Sequence, residues 1–137
     1  MNRIGIGSAQ FGKKYGINSK KKIKPNEIKK IFNYLYFKNK KFYIDTSPSY
    51  GNAETLIGKN LKKKSKFRII TKTISSKSKN INNSFIKNLE KSFVLSLKRL
   101  KQKKVYGLLV HNINDLLKKD SYLLYNQLVN FKKKKIS

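Results

Sequence analysis

Apolar positions along the chain follow two alternating rhythms. Short, nearly continuous apolar runs occur at residues 3–8 (RIGIGS), 42–44, 67–71 and 105–110. Between them the apolar residues recur at three-and-four spacing. Ile28, Ile31, Phe32 and Leu35 form one such stripe, opened by Pro25-Asn26-Glu27, with Pro in the first turn and an acid near the positive helix end. Leu56, Ile57 and Leu61 form a second, which Asn52 can cap, with Glu54 in its first turn. Phe85, Ile86, Leu89, Phe93, Leu97 and Leu100 form the clearest, after the polar stretch 75–83. Residues 122–131 (YLLYNQLVNF) give a fourth, followed by the lysine-rich 132–137. Short apolar runs predict strands and periodic stripes predict amphipathic helices, so the expected order is β-α-β-α-β-α-β-α.

Strands of this kind, alternating with helices, predict a parallel sheet covered by helices. Two architectures satisfy the pattern, a doubly wound sheet and a (β/α)8 barrel. Gly5-Ile6-Gly7-Ser8-Ala9-Gln10 has glutamine where the third glycine of G-x-G-x-x-G belongs, which argues against a dinucleotide-binding fold of the first kind.

Length and composition narrow the chemistry. At 137 residues the chain is one domain, or part of a larger one, and 38% hydrophobic residues suffice for a core. There is no cysteine and one histidine, so disulfides, thiol nucleophiles and a protein-only zinc site are not expected. The N-terminus lacks the apolar core of a signal peptide, and no apolar run is long enough to span a bilayer, so the expected location is the cytoplasm with no membrane partner.

The net charge of +28 raises a second possibility, a lysine-rich module that holds nucleic acid or another polyanion. Of the 34 basic residues only Arg3, Arg68 and Arg99 are arginine. Specific base and phosphate readout favours the arginine fork, so no specific nucleic-acid partner is expected. Abundant Asn, Ile, Lys, Phe and Tyr beside scarce Ala and Pro is the bias that A/T-rich codons produce. If that bias explains the lysines, they should scatter over helix exteriors rather than line one groove.

The chemistry-bearing residues gather after the predicted strands. Gln10 follows the first by a few positions, Asp45 ends the second, Lys72 the third, and His111 the fourth. The carboxyl ends of barrel strands are where such folds place their reactive groups. Neighbouring parallel strands lie about 5 Å apart, so Lys72 is the cation expected to meet Asp45. Tyr50 follows in Pro48-Ser49-Tyr50-Gly51. A phenol ordinarily titrates near 10, and a nearby ammonium stabilises its phenolate. A tyrosine beside such a lysine can therefore give a proton to a carbonyl oxygen that a neutral histidine orients. Each residue alone has an ordinary structural use, as a loop cap, a solvated lysine, a satisfied histidine or a packed turn. Their coincidence on one rim favours the chemical reading.

These residues resemble the aldo-keto reductases, NADPH-dependent barrel enzymes. The resemblance rests on residues 5–12 (GIGSAQFG), on Asp45-Thr46 with Tyr50-Gly51 and Glu54, on Lys72 and on His111. It implies a catalytic tetrad of Asp45, Tyr50, Lys72 and His111, with Tyr50 the proton donor. It also implies NADP(H) as cofactor, a small carbonyl compound as substrate, and cofactor contacts from Gly7, Ser8, Gln10 and Asp45. The fold so implied is the N-terminal half of a TIM barrel, residues 1–137, truncated after about four βα repeats, since a (β/α)8 barrel typically takes about 250 residues. Much of the cofactor site would then lie beyond Ser137, and the chain alone is expected to be inactive. Exposed sheet edges are expected to favour self-association.

Overall fold

The computed structural model of the chain describes residues 5–16, 21–38, 41–62 and 67–134. Among these residues ten elements follow one another: β1 (Gly5–Gly7), α1 (Ala9–Gly12), α2 (Pro25–Phe37), β2 (Phe42–Asp45), α3 (Ala53–Asn60), β3 (Phe67–Lys72), α4 (Asn83–Leu100), β4 (Gly107–Leu109), a 3-10 turn (Ile113–Leu116) and α5 (Tyr122–Lys133). The strands form one parallel sheet in the order β1-β2-β3-β4. Sequential order with a helix between strands is the arrangement of one half of a (β/α)8 barrel. A doubly wound sheet would break that order.

Alternation along each strand separates two faces. Ile44, Phe67 and Ile69 are buried against Ile28, Phe32 and Leu35 of α2, Ile57 of α3, and Leu89 and Phe93 of α4. These are the apolar stripes read from the sequence, and burying them is the main favourable term in forming the fold. The opposite face carries Gly5, Tyr43 and Arg68 in one row, then Gly7, Asp45, Ile70 and Gly107, then Lys72 beside Leu109. No helix covers this second face among the described residues, and Leu109 is 50% exposed. β1 and β4 are the edges of the sheet.

The ends of the elements agree with the local chemistry in most places. Pro25 opens α2, and the Glu27 carboxylate accepts the Lys24 backbone N–H at 2.9 Å. Asn82 caps α4, its side chain accepting the Phe85 N–H at 2.8 Å. Three expectations need correction. Asn52 stands at the N-cap of α3, but its side chain makes no cap bond. Leu61 falls at the C-cap of α3 rather than within it. The apolar run 105–110 shortens to the three residues of β4, although the Tyr106 N–H still reaches the Ile69 carbonyl at 2.7 Å. Residues 3–4 of the expected first strand and residues 135–137 of the lysine-rich end lie outside the described residues.

Candidate active site

Four loops at the carboxyl ends of the strands assemble the site. The Ser8 N–H donates to the Asp45 carbonyl at 2.9 Å, the Thr46 N–H to Ile70 at 2.9 Å, and the Thr73 N–H to Leu109 at 2.8 Å. Each strand end is thus tied to its neighbour one residue past the ladder. The side chains that follow inherit fixed positions on one rim.

Lys72 and Asp45 meet there. The Lys72 ammonium donates to both carboxylate oxygens, at 2.6 and 2.7 Å, and to the Thr46 carbonyl at 3.2 Å. Its side chain is 15% exposed, whereas that of Asp45 is 42% exposed. A lysine so withdrawn from water requires an anion, and Asp45 supplies it.

Tyr50 sits above this pair. The Lys72 ammonium lies 5.2 Å from the centre of its ring. No hydrogen bond joins the Tyr50 hydroxyl to Lys72 or His111 among the described residues. His111 stands edge-on to Tyr50, ring centres 6.2 Å apart at 67°. Its backbone N–H donates to Thr73 Oγ1 at 3.1 Å, and its Nδ1 is 3.1 Å from Ser47 Oγ. The Ser49 N–H donates to the same Ser47 oxygen at 3.1 Å. All four tetrad residues proposed from the sequence therefore share one rim.

The turn that carries Tyr50 is held by close backbone packing. Its N–H donates to the Ser47 carbonyl at 3.1 Å, and its carbonyl accepts the Ala53 N–H at 3.1 Å. Gly12 of α1 lies against this turn so closely that a Cβ there would collide with the Tyr50 carbonyl oxygen. Gly51, next to Tyr50, has φ +58°, a conformation glycine adopts without steric cost. One level down, the buried Glu54 carboxylate accepts the Thr71 hydroxyl at 2.8 Å and the Arg99 guanidinium at 3.4 Å. This binds α3 to β3 and α4 beneath the rim.

Four participants escaped the sequence reading. The Lys13 ammonium lies 5.2 Å from the Tyr50 ring centre, a second cation on the same phenol. The Tyr15 ring packs 6.3 Å from that of Tyr50. Ser47 and Thr73 hold His111. Lys13 was hidden among many lysines, and a serine that bonds a residue 64 positions away leaves no local pattern.

The residues expected to touch a cofactor differ in availability. Asp45 keeps a half-open carboxylate, and the Gly7 position has open space before it, so both suit contact with the sugar and ring of a nicotinamide nucleotide. The Ser8 and Thr46 hydroxyls are buried and lack a protein partner among the described residues. The Gln10 amide donates to the Tyr15 carbonyl at 3.1 Å. Of these residues Asp45 and Gly7 are open to one end of such a cofactor.

Comparison with known proteins agrees with this geometry. Two solved structures, both described as candidate aldo-keto reductases from Pseudomonas aeruginosa, superpose with TM-scores of 0.71 and 0.72 at 24% and 23% identity. Each match covers 96% of this chain but only 51% and 50% of the other, so the chain spans about half the length of those structures. No curated protein matches it. The model of the aldo/keto reductase family matches residues 3–133, a span that takes in the glycine-bearing first strand and every member of the rim cluster. With motif, strand order and rim in agreement over nearly its whole length, the chain belongs to the aldo/keto reductase family.

Proposed function

We propose that the rim of Asp45, Tyr50, Lys72 and His111 reduces an aldehyde or ketone to an alcohol, using NADPH, with Tyr50 as proton donor. The observation that carries this reading is the grip of Lys72 on both oxygens of Asp45 beneath the Tyr50 ring. The nicotinamide, when bound, supplies the hydride to the carbonyl carbon. As the carbonyl oxygen becomes negative, the Tyr50 hydroxyl protonates it. The ammonium groups of Lys72 and Lys13 stabilise the phenolate that remains. Asp45 keeps Lys72 in place and offers the exposed part of its carboxylate to the cofactor, with Gly7 and Gln10 on the same approach and Ser8 behind them.

His111 orients the carbonyl. The Ser47 oxygen already accepts from Ser49, so its own proton is free to be donated to His111 Nδ1. That arrangement leaves the proton of a neutral imidazole on Nε2, from which it can be donated to the substrate.

Residues 1–137 act in this reading as the N-terminal part of a (β/α)8 barrel, in the cytoplasm. The rest of the cofactor site comes from further βα units, and β1 and β4 are the edges through which the chain pairs with them or with another copy. The polyanion-binding alternative is less well supported. Exposed lysines stand on separate helices, Lys29 and Lys30 of α2, Lys87 and Lys91 of α4, and Lys132 and Lys133 of α5, rather than along one groove.

The test is NADPH oxidation against a panel of aldehydes by the polypeptide purified from its natural source. Tyr50→Phe should lower kcat by about 10²–10⁴-fold with KM little changed. Turnover unaffected by that substitution would overturn the assignment of the donor. The 137-residue chain alone should show none, because positioning of the hydride donor, which can supply about 7–11 kcal/mol, would be missing.

A further inference from the structure

Several cations packed into the fold meet acceptors there. Lys72 holds Asp45, Arg99 reaches Glu54, and Lys118 pairs with Asp115. Arg68, on the sheet face that no described helix covers, donates from Nη1 to the Tyr43 hydroxyl at 2.6 Å and packs 4.9 Å from the Tyr106 ring centre. Lys13 differs. Its ammonium lies 5.2 Å from the centre of the Tyr50 ring and 5.9 Å from that of Tyr15, and no ion pair or hydrogen bond among the described residues engages it.

Ring faces attract an ammonium but leave its hydrogen-bonding capacity unused. Lys13 is therefore held, half-buried, against two rings with its three N–H donors to spare. Charge at the rim is uncompensated as well. Lys72 and Asp45 cancel, and Lys13 leaves one positive charge beside the phenol that gives up its proton. All six acidic side chains lie among the described residues, and the three in ion pairs, Asp45, Glu54 and Asp115, hold other cations. No carboxylate of the chain meets Lys13, so the place is open to an anion that arrives with the substrate. A phenol oxygen lies half a ring and one C–O bond from its ring centre, which puts Lys13 Nζ within about 8 Å of the Tyr50 hydroxyl. A carbonyl at the one and an anion at the other fit a single small molecule with about two to four atoms between them.

We propose that Lys13 is a specificity-determining residue, and that the carbonyl substrate carries an anionic group, carboxylate or phosphate, which Lys13 binds while the carbonyl oxygen faces Tyr50. In placing the carbonyl at Tyr50 this rests on the reductase reading above, to which it adds the class of substrate. An ammonium is a point charge rather than a fork, so it takes either anion. The field of a chain with net charge +28 also draws anions to the rim, and a variant at Lys13 separates the local contribution from that field.

His111 is the chain's single histidine, so its ring resonances report occupancy of the rim without overlap. Levulinate, a ketone with a carboxylate, is titrated against its neutral methyl ester, and dihydroxyacetone phosphate against dihydroxyacetone, all at matched ionic strength. Acetate and inorganic phosphate serve as anions without a ketone. One anionic ketone should shift His111 saturably and bind at least tenfold more tightly than both its neutral counterpart and the bare anion. Whether levulinate or dihydroxyacetone phosphate does so identifies the group as carboxylate or phosphate. Lys13→Met should erase the preference, and Lys13→Arg, which keeps the charge, should retain it. The proposal fails if the neutral ketones or the bare anions bind as tightly, if Lys13→Met keeps the preference, or if no compound moves His111. Absence of NADPH oxidation would count against the reductase reading, whereas loss of this preference with turnover intact would overturn the substrate class alone.

Discussion

Lys72 closes on both oxygens of Asp45, at 2.6 and 2.7 Å, across the boundary between the third and second strands. Their exposures are unequal, 15% for the lysine and 42% for the aspartate, so the lysine depends on the pair more than its partner does. Asp45→Asn should therefore destabilise the chain by about 1–3 kcal/mol, the cost of leaving a mostly buried ammonium without its counter-charge. Lys72→Met should cost less, because Asp45 can turn to water. Urea unfolding of the two variants checks the order, and a larger loss for Lys72→Met would contradict it.

Gly12 bears on Tyr50 through backbone rather than side chain. A Cβ at residue 12 would strike the Tyr50 carbonyl and crowd the Ala53 nitrogen at 2.7 Å, and neither atom is free to swing away. Gly12→Ala should cost about 1–3 kcal/mol, as overpacking usually does. It should also displace the tyrosine, visible as a changed His111 ring resonance. A variant with wild-type stability and an unmoved His111 resonance would show that α1 yields instead.

Much of this could be read before any coordinates. The strands, the four longer helices and their buried stripes follow from periodicity, because burial of one face is what that periodicity records; the half-barrel arrangement came from the family resemblance. That Asp45, Tyr50, Lys72 and His111 share one rim was legible because Asp45, Lys72 and His111 each directly follow an apolar run and Tyr50 lies in the loop after the second. Short elements were not: Ala9–Gly12 and Ile113–Leu116 are single turns, too brief for any period. Nor could sequence foresee that Lys13 approaches Tyr50, or that Tyr106 completes a stack with Tyr43 and Arg68. Those contacts depend on how loops fold back and how the sheet twists.

Lys101 ends α4 in the left-handed region, φ 53° and ψ 41°, where a side chain is crowded by its own backbone. Glycine is the usual residue at such helix ends. Lys101→Gly should raise stability by about 1 kcal/mol, the steric relief less the greater freedom of glycine in the unfolded chain. Thermal unfolding at fixed pH measures it. A fall in Tm would mean that the Lys101 side chain makes a contribution larger than its strain.

The phenol of Tyr43 offers a pH-dependent signature of the sheet face that no described helix covers. Tyr106 first, and Arg68 next, hold it below its ordinary 10.0. In the folded chain Tyr43 therefore loses its proton before it would in the unfolded one, and stability gains as pH climbs from the folded value to 10.0. The contribution is complete above 10.0 and is lost as pH falls back through the folded value. Absorbance of phenolate near 295 nm should show one of the eight tyrosines titrating ahead of the rest. Tyr43→Phe should remove that early step, and Arg68→Gln should push it back toward 10.0. Measured beside Tyr43→Phe, which shares every other titrating group, the wild-type chain should gain unfolding free energy across the same window. If instead the early step survives in Tyr43→Phe, another phenol is responsible, and the cluster of Tyr43, Arg68 and Tyr106 is not the electrostatic unit its geometry describes.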